Sequence, residues 1–204
     1  GSKDYTDAHC KTKGAGGEFG HEALTGPASI TVDNILTGTE RQITTLKNVQ
    51  AGVTLEFQSK ALEGSGTMEN KEEAGEMFAH GTGVITYKEV TVTAPAGKGC
   101  VIKGGQIQTN KLTTTNKGLL NQLSLTPTTG DTIAELTIEG CSIAALNHVY
   151  TTKGSVKGTI EGATTRFTHA NTTEERTLSF SGQNAGIDGR LTIHGANGNG
   201  VAFT

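Results

Sequence analysis

The sequence predicts an all-β protein, an antiparallel sandwich or jelly roll that carries an extended, glycine-rich N-terminal arm. After residue 28, most segments alternate apolar and polar residues with period two, as half-buried strands do. Clusters of Gly, Asn, Asp and Pro separate these segments at spacings of about ten residues, as in sandwiches. No amphipathic helical segments lie between them, which argues against an α/β fold.

The predicted elements begin with an irregular lead-in. Residues 1–28 are rich in glycine and show no sustained period, so we predict an extended arm there. Alternation predicts strands at 29–35, 41–49 and 52–60. Residues 61–70 continue the pattern, and Gly64 and Gly66 on one face indicate a bulge or the close approach of a neighbouring backbone.

The segment "NKEEAGEMFAH" (70–80) is the one candidate for a helical turn. Gly75 disfavours a helix, so we predict a charged loop that enters a strand at Met77. The longest strand pattern follows at 83–94. Further strands are predicted at 100–113, 120–127, 131–140, 148–162, 164–170, 176–182, 189–195 and 201–204, and we assign residues 29–204 to a single domain.

Composition narrows the function classes. A net charge of −3 is too small to indicate a nucleic-acid partner, and lysines are not interleaved with aromatic residues. No segment approaches the ~20 apolar residues of a transmembrane helix. Low charge with abundant threonine and glycine is typical of secreted β proteins, so we expect a secreted or cell-surface protein whose signal peptide has been removed.

The loop "TAPAGKGCVIKGGQ" (93–106) resembles a phosphate-binding loop only superficially. A phosphate loop needs G-x-x-x-x-G-K-[ST] and a following helix, whereas Lys98 is followed by Gly99 and Cys100 and then by a strand pattern. We therefore interpret this segment as a corner between strands, and we predict no cofactor.

The three cysteines suggest different roles. Cys100 begins one predicted strand and Cys141 ends another, so we predict a disulfide between them; the alternative is two reduced core residues in a cytosolic protein. Cys10 in the arm is then an unpaired thiol or an intermolecular link.

Catalytic patterns are weak. The histidines are scattered singly, without a metal-binding pair, and no G-x-S-x-G elbow occurs. Glu135 and Glu139 point to one face of a predicted strand, where a glycosidase pair is conceivable. A solvated strand face explains them better, because sugar-binding grooves need aromatic residues and the chain has no Trp. Tyr87 and Tyr150, with these two glutamates, form the weak candidate for a ligand face.

Several longer segments resemble one family: "TVTAPAGKGC" with "VIKGGQIQTNKL", "TIEGCSIAALNHVY", "GSVKGTIEGATTRFTHA" and "LSFSGQNAGIDGRLTI". They resemble uncharacterised secreted proteins of soil actinobacteria of the Thermoleophilia type, over roughly residues 76–195. The resemblance implies export and a bacterial origin, and no activity or catalytic residue can be carried over from it.

Three functions are compatible with these observations. The leading hypothesis is a non-enzymatic, exported structural protein that self-assembles into a fibre or surface layer by strand sharing, with another copy of itself as partner. The alternative is a secreted module that binds an envelope glycan or another ligand. The third is a hydrolase that uses Glu135 and Glu139.

Overall fold

The computed structural model describes residues 6, 12–17, 26–119, 121–168, 177–196, 198 and 200–201. These residues form strands and two short 3-10 turns (Lys103–Gly105 and Ala144–Leu146), with no α-helix among them, so the predicted all-β class is confirmed. The strands are β1 (Ala28–Asp33), β2 (Ile35–Thr37), β3 (Glu40–Arg41), β4 (Thr44–Gln50), β5 (Val53–Glu73), β6 (Glu76–Ala94), β7 (Val101–Ile102), β8 (Ile107–Gln108), β9 (Leu112–Thr115), β10 (Gln122–Pro127), β11 (Thr132–Glu139), β12 (Val149–Lys153), β13 (Val156–Glu161), β14 (Thr164–Phe167), β15 (Ser179–Phe180), β16 (Gln183–Asn184) and β17 (Gly186–Gly195).

Two antiparallel sheets of ten and five strands pack together as a sandwich. The larger sheet has the order β1-β5-β4-β17-β14-β13-β10-β9-β6-β8, and β5 also pairs with β6. Strand pairing therefore runs from β5 through β4, β17, β14, β13, β10, β9 and β6 and returns to β5. The smaller sheet, β16-β15-β12-β11-β7, lies against this closed circuit and is joined to it by a bridge between Thr109 and Ala134.

The hairpin of β5 and β6 corrects the prediction for residues 70–80. Instead of a charged loop, both strands continue to a two-residue turn at Ala74 and Gly75, and Glu73 pairs with Glu76. Both turn residues have positive φ, 55° and 80°, as the type I′ turn of tight hairpins requires. The predicted charged loop is absent because the turn between the two strands needs only these two residues.

Two predicted strands are divided. Residues 100–113 contain β7, β8 and the start of β9, because Gly104 and Gly105 both adopt positive φ and interrupt the extended chain. Residues 148–162 contain β12 and β13, which belong to different sheets. Residues 202–204 of the predicted strand 201–204 and most of the predicted arm 1–28 lie outside the described residues.

Gly66 confirms the predicted close approach of two backbones. It pairs directly with Gly83 on β6, and a Cβ placed on Gly66 would lie 2.7 Å from the Gly83 Cα. Any larger residue at either position would push the two long strands apart.

The core is a single cluster inside the curved ten-stranded sheet and beneath the five-stranded one. Its fully buried members come from both sheets and include Leu55, Phe57, Leu62, Met68, Leu123, Ile138 and Phe180. Phe180 of the smaller sheet stacks on Phe57 of the larger one, with ring centroids 5.5 Å apart. Among the described residues, no helix has the length and apolar character needed to cross a membrane.

Candidate ligand-binding cavity

The predicted disulfide between Cys100 and Cys141 is present. It joins the corner after β6 to the loop after β11, and both cysteines are buried. The Ser142 amide donates to the Lys98 carbonyl oxygen at 2.8 Å, and the Asn147 side chain bonds both the amide and the carbonyl of Cys141. The loop 93–106 is thus a cross-linked corner, with Lys98 exposed to solvent. Cys10 lies outside the described residues.

The four residues of the weak ligand face do not share a surface. Glu135 and Glu139 are exposed on the outer face of β11, whereas Tyr150 is buried on the inner side of β12. The Tyr150 hydroxyl donates to the Leu146 carbonyl oxygen at 3.1 Å, and its ring stacks on Phe180. Tyr150 is therefore a core residue, and the prediction that it could stand exposed beside the glutamates is wrong.

Tyr87 faces the interior, where it lines a large cavity. This large cavity has a volume of about 80 Å³. Its walls come from both sheets: strands of the ten-stranded sheet surround it, and Ile133, Ala134, Leu136 and Thr152 of the five-stranded sheet close one side. A water needs only ~10–15 Å³ of such space, and a cavity of ~150 Å³ holds benzene, so this cavity has room for an apolar guest smaller than benzene.

Most of the large cavity is apolar, and the strand alternation explains why. Inward positions of β5, β10 and β13 contribute Phe57, Leu125 and Val156, while Phe167 enters from β14. No carboxylate, imidazole, amine or guanidinium group occurs among its described lining residues. The cavity therefore offers an uncharged surface with a few hydroxyl groups.

Four of these hydroxyls belong to Ser and Thr, and three of them have partners. Ser59 donates to the Lys88 carbonyl oxygen at 2.8 Å, and Thr152 donates to the Ala134 carbonyl oxygen at 3.1 Å. Thr109 accepts a hydrogen bond from the Ile85 amide at 3.0 Å. Thr44 is different: the residue is only 6% exposed, and its Oγ1 has no hydrogen-bond partner in the described part of the chain.

The fifth hydroxyl is that of Tyr87. This residue is half-buried on β6, and removal of its phenol from water raises its pKa to about 12. A phenol with this pKa stays protonated at neutral pH. Tyr87, a lining residue of the cavity, therefore carries a neutral hydroxyl that can donate a hydrogen bond.

A smaller cavity of about 40 Å³ lies beside the large one. It is enclosed by aliphatic side chains such as Ile30, Ile85 and Ile193, by backbone near Gly83, and by Thr114. Leu112 and Leu125 line both cavities and so separate them. Thr114 Oγ1, like that of Thr44, is buried without a partner among the described residues.

Sequence reasoning missed Thr44, Thr109 and the cavity itself. An inward threonine and an outward threonine look alike in a period-two pattern, because threonine suits both faces of a strand. Only the pairing of distant strands shows which threonines surround a void.

The described residues contain no candidate metal site. Within them, no group of three His, Cys, Asp or Glu side chains is arranged to hold a metal ion. His194 lies 3.1 Å from Asp33, but this pair bridges β17 and β1 on the outer surface. Comparison of the chain with known protein families, with curated proteins and with solved structures gave no match.

Proposed function

We propose that the protein is an exported, non-enzymatic β-sandwich module that binds a small, largely apolar molecule in the large cavity. The observation that carries this proposal is the cavity itself, about 80 Å³ within the hydrophobic core. Protein interiors seldom retain voids larger than a water molecule. At about 24 cal/mol per Å³, an empty cavity of this size costs roughly 2 kcal/mol, which a ligand that fills it would recover.

The non-enzymatic part of the proposal comes from the chemistry of the lining. The described lining residues supply hydroxyl groups but no base or acid that would activate them. Export is supported by the Cys100–Cys141 disulfide, because such bonds persist in oxidising compartments.

The test uses a variant that fills the cavity. Ala134 is buried on β11 and faces the void, so in Ala134→Leu the new side chain occupies the space that the ligand needs. We expect xenon, a monatomic apolar probe smaller than benzene, to bind the wild type in NMR titrations and to lose binding in Ala134→Leu. Ala96→Leu makes the same change at an exposed position and serves as the matched control.

Folding is checked independently of binding. Filling a void is compatible with unchanged or higher stability, so Ala134→Leu should retain the free energy of unfolding of the wild type. A wild type that binds neither xenon nor any other small apolar probe would refute the proposed function.

Self-assembly is a second candidate, and a specific observation favours it. Val101 and Val149 are 50% and 53% exposed on the outer face of the five-stranded sheet, on either side of β11. Exposed apolar residues on a sheet face suit contact with another copy. Strand addition, in contrast, finds little room on the ten-stranded sheet, because its pairing circuit is closed.

Negative-stain electron microscopy of the unreduced protein tests this second candidate. Uniform fibres in the wild type that disappear in a Val101→Lys, Val149→Lys double variant would support assembly through this face. Dispersed single particles at high concentration would rule out self-assembly through this face.

A glycan-binding version of the module has less support, since Tyr87 and Tyr150 face the interior and are not available to stack on a sugar.

A further inference from the structure

The small cavity adjoins the large one inside the same core. Its described lining residues all come from the ten-stranded sheet, and they include Ile30 and Val32 on β1, Leu123 on β10 and Ile193 on β17. Its volume of about 40 Å³ exceeds the ~10–15 Å³ that one water needs. A second apolar void therefore lies next to the proposed ligand site.

The partition between the two cavities is formed by Leu112 and Leu125, which line both. These leucines lie on the neighbouring strands β9 and β10, where Leu112 is opposite Pro127 and Leu125 is opposite Thr114. A side chain that borders a void lacks packing partners on that side, and each of these two leucines borders two voids. Leu112 is buried, whereas Leu125 is half-buried. Leu125 is therefore the part of the partition that can change rotamer at the lower cost.

The two volumes restrict the shape of a guest. A cavity of ~150 Å³ holds benzene, and the volumes here are only about 80 Å³ and about 40 Å³. Even together they fall short of that size, so a ring is a poor match. A slender molecule that extends from one cavity into the other buries more apolar area than a compact guest confined to either.

The lining restricts the chemistry of the guest. Apart from the protonated phenol of Tyr87, the described lining residues of both cavities carry no ionisable group. A charged ligand would be buried there without a counter-charge, at a large desolvation cost. The lining therefore favours a neutral hydrocarbon.

We propose that the two cavities form one elongated site, divided by Leu125, for a short unbranched aliphatic molecule. One end of the guest occupies the large cavity and the other end occupies the small cavity, and Leu125 moves aside to admit it. This inference rests on the proposed function, because it specifies the shape of the ligand that the large cavity takes.

Two isomers of one hydrocarbon test the shape of the site. n-Butane is slender and isobutane is compact, although their composition is the same. NMR chemical shifts of the wild type in solutions equilibrated with each gas measure the two affinities. We expect n-butane to bind roughly fourfold more tightly than isobutane, because the branched isomer leaves the equivalent of one methylene without a place in the site.

Val32→Ile tests whether the guest reaches the small cavity. Val32 is half-buried and lines the small cavity but not the large one, so the added methylene takes up space in the small cavity alone. We expect the affinity for n-butane to fall roughly fourfold, the effect of one displaced methylene, while xenon binding in the large cavity is unchanged. Val49→Ile makes the same change at a position that is 51% exposed and should alter neither affinity.

Leu125→Ala tests the partition itself. Its removal joins the two voids, so n-butane no longer has to displace a side chain. We expect n-butane to bind this variant roughly two- to tenfold more tightly than the wild type, the cost of moving a side chain out of its preferred rotamer. Leu123→Ala shortens a buried leucine that lines only the small cavity, keeps Leu125 in place and should give less gain.

The outcomes separate this inference from the proposed function. If neither xenon nor either butane binds the wild type, the proposed function itself fails. If xenon binds but n-butane does not, the large cavity is a ligand site and the elongated site is wrong. If n-butane binds but Val32→Ile leaves its affinity unchanged, the small cavity is not part of the site. If isobutane binds as tightly as n-butane, the preference for an unbranched molecule is overturned.

Discussion

Glu56 shows how a single residue makes the stability of this protein depend on pH. Its Oε2 lies 2.6 Å from Lys47 Nζ, and its Oε1 accepts hydrogen bonds from Thr93 Oγ1 at 2.9 Å and from Gln58 Nε2 at 3.0 Å. The bond from Lys47 is the main cause that lowers the pKa of Glu56, with smaller contributions from Thr93 and Gln58, against the opposing effect of burial.

A lowered pKa in the folded state fixes the sign of the pH effect. The stabilisation is fully present above the unfolded pKa of about 4.3 and is lost as the pH falls through the folded pKa. We expect Glu56→Gln to reduce the free energy of unfolding by about 1 kcal/mol or less at neutral pH, because Lys47 is half-exposed. Urea titrations across the acid range should show this difference shrinking below about pH 4. If the difference in free energy of unfolding between the wild type and Glu56→Gln stays constant with pH, the ionisation of Glu56 is not its cause.

Asn34 illustrates which residues the sequence cannot assign. It is 1% exposed, and its side-chain nitrogen donates to the carbonyl oxygens of Gln42 and Lys60. Its side-chain oxygen accepts from the Leu62 amide and from Arg41. In the sequence this asparagine falls within the strand predicted at 29–35, and only the fold reveals that it joins three segments. Thr44 has the same character, since its inward position depends on partners far along the chain.

At the scale of elements, alternation predicted most strands because period two is a local property. It located β1, β4, β10, β11 and much of β5, β6 and β17. It failed where backbone conformation outweighed side-chain pattern, as at Gly104–Gly105, and where a turn was too short to disturb the pattern, as at Ala74–Gly75. The cavity lay beyond its reach, because the pairings of β4 with β17 and of β6 with β9 join strands that are not consecutive in the chain.

The Ala-Gly turns provide a prediction at this scale. Ala74 has a φ of 55°, in the left-handed region that alanine tolerates poorly and asparagine tolerates well. Asn-Gly is a strongly preferred pair in type I′ turns, so Ala74→Asn should raise the free energy of unfolding by about 0.5–1 kcal/mol. Chemical denaturation measures this gain.

Two comparisons make the turn prediction specific. Ala51 occupies the equivalent turn between β4 and β5 with a φ of 48°, so Ala51→Asn should stabilise to a similar extent. Ala96 is exposed and lacks a positive φ, so Ala96→Asn should give no gain. Equal effects at all three positions would show that the backbone conformation is not the cause.

At the scale of the whole molecule, the two sheets must stay together for the large cavity to exist. β11 of the five-stranded sheet forms one wall, and its end is tied through Cys141 to Cys100 in the corner after β6. The two cysteines are 41 residues apart in the sequence, and the chain-entropy model assigns roughly 4 kcal/mol to closing a loop of that length. The disulfide therefore stabilises the part of the fold that covers the cavity.

The double variant Cys100→Ala, Cys141→Ala tests this coupling. We expect its free energy of unfolding to be about 3–4 kcal/mol lower than that of the wild type, because the unfolded chain regains the freedom of the open loop. The wild type should lose a similar amount when a reductant is added, whereas the variant should not respond to it. Affinity for xenon should fall in the variant as well, since β11 loses its covalent tie beside the cavity. Unchanged stability in the variant would show that the corner is held by its backbone and Asn147 hydrogen bonds alone.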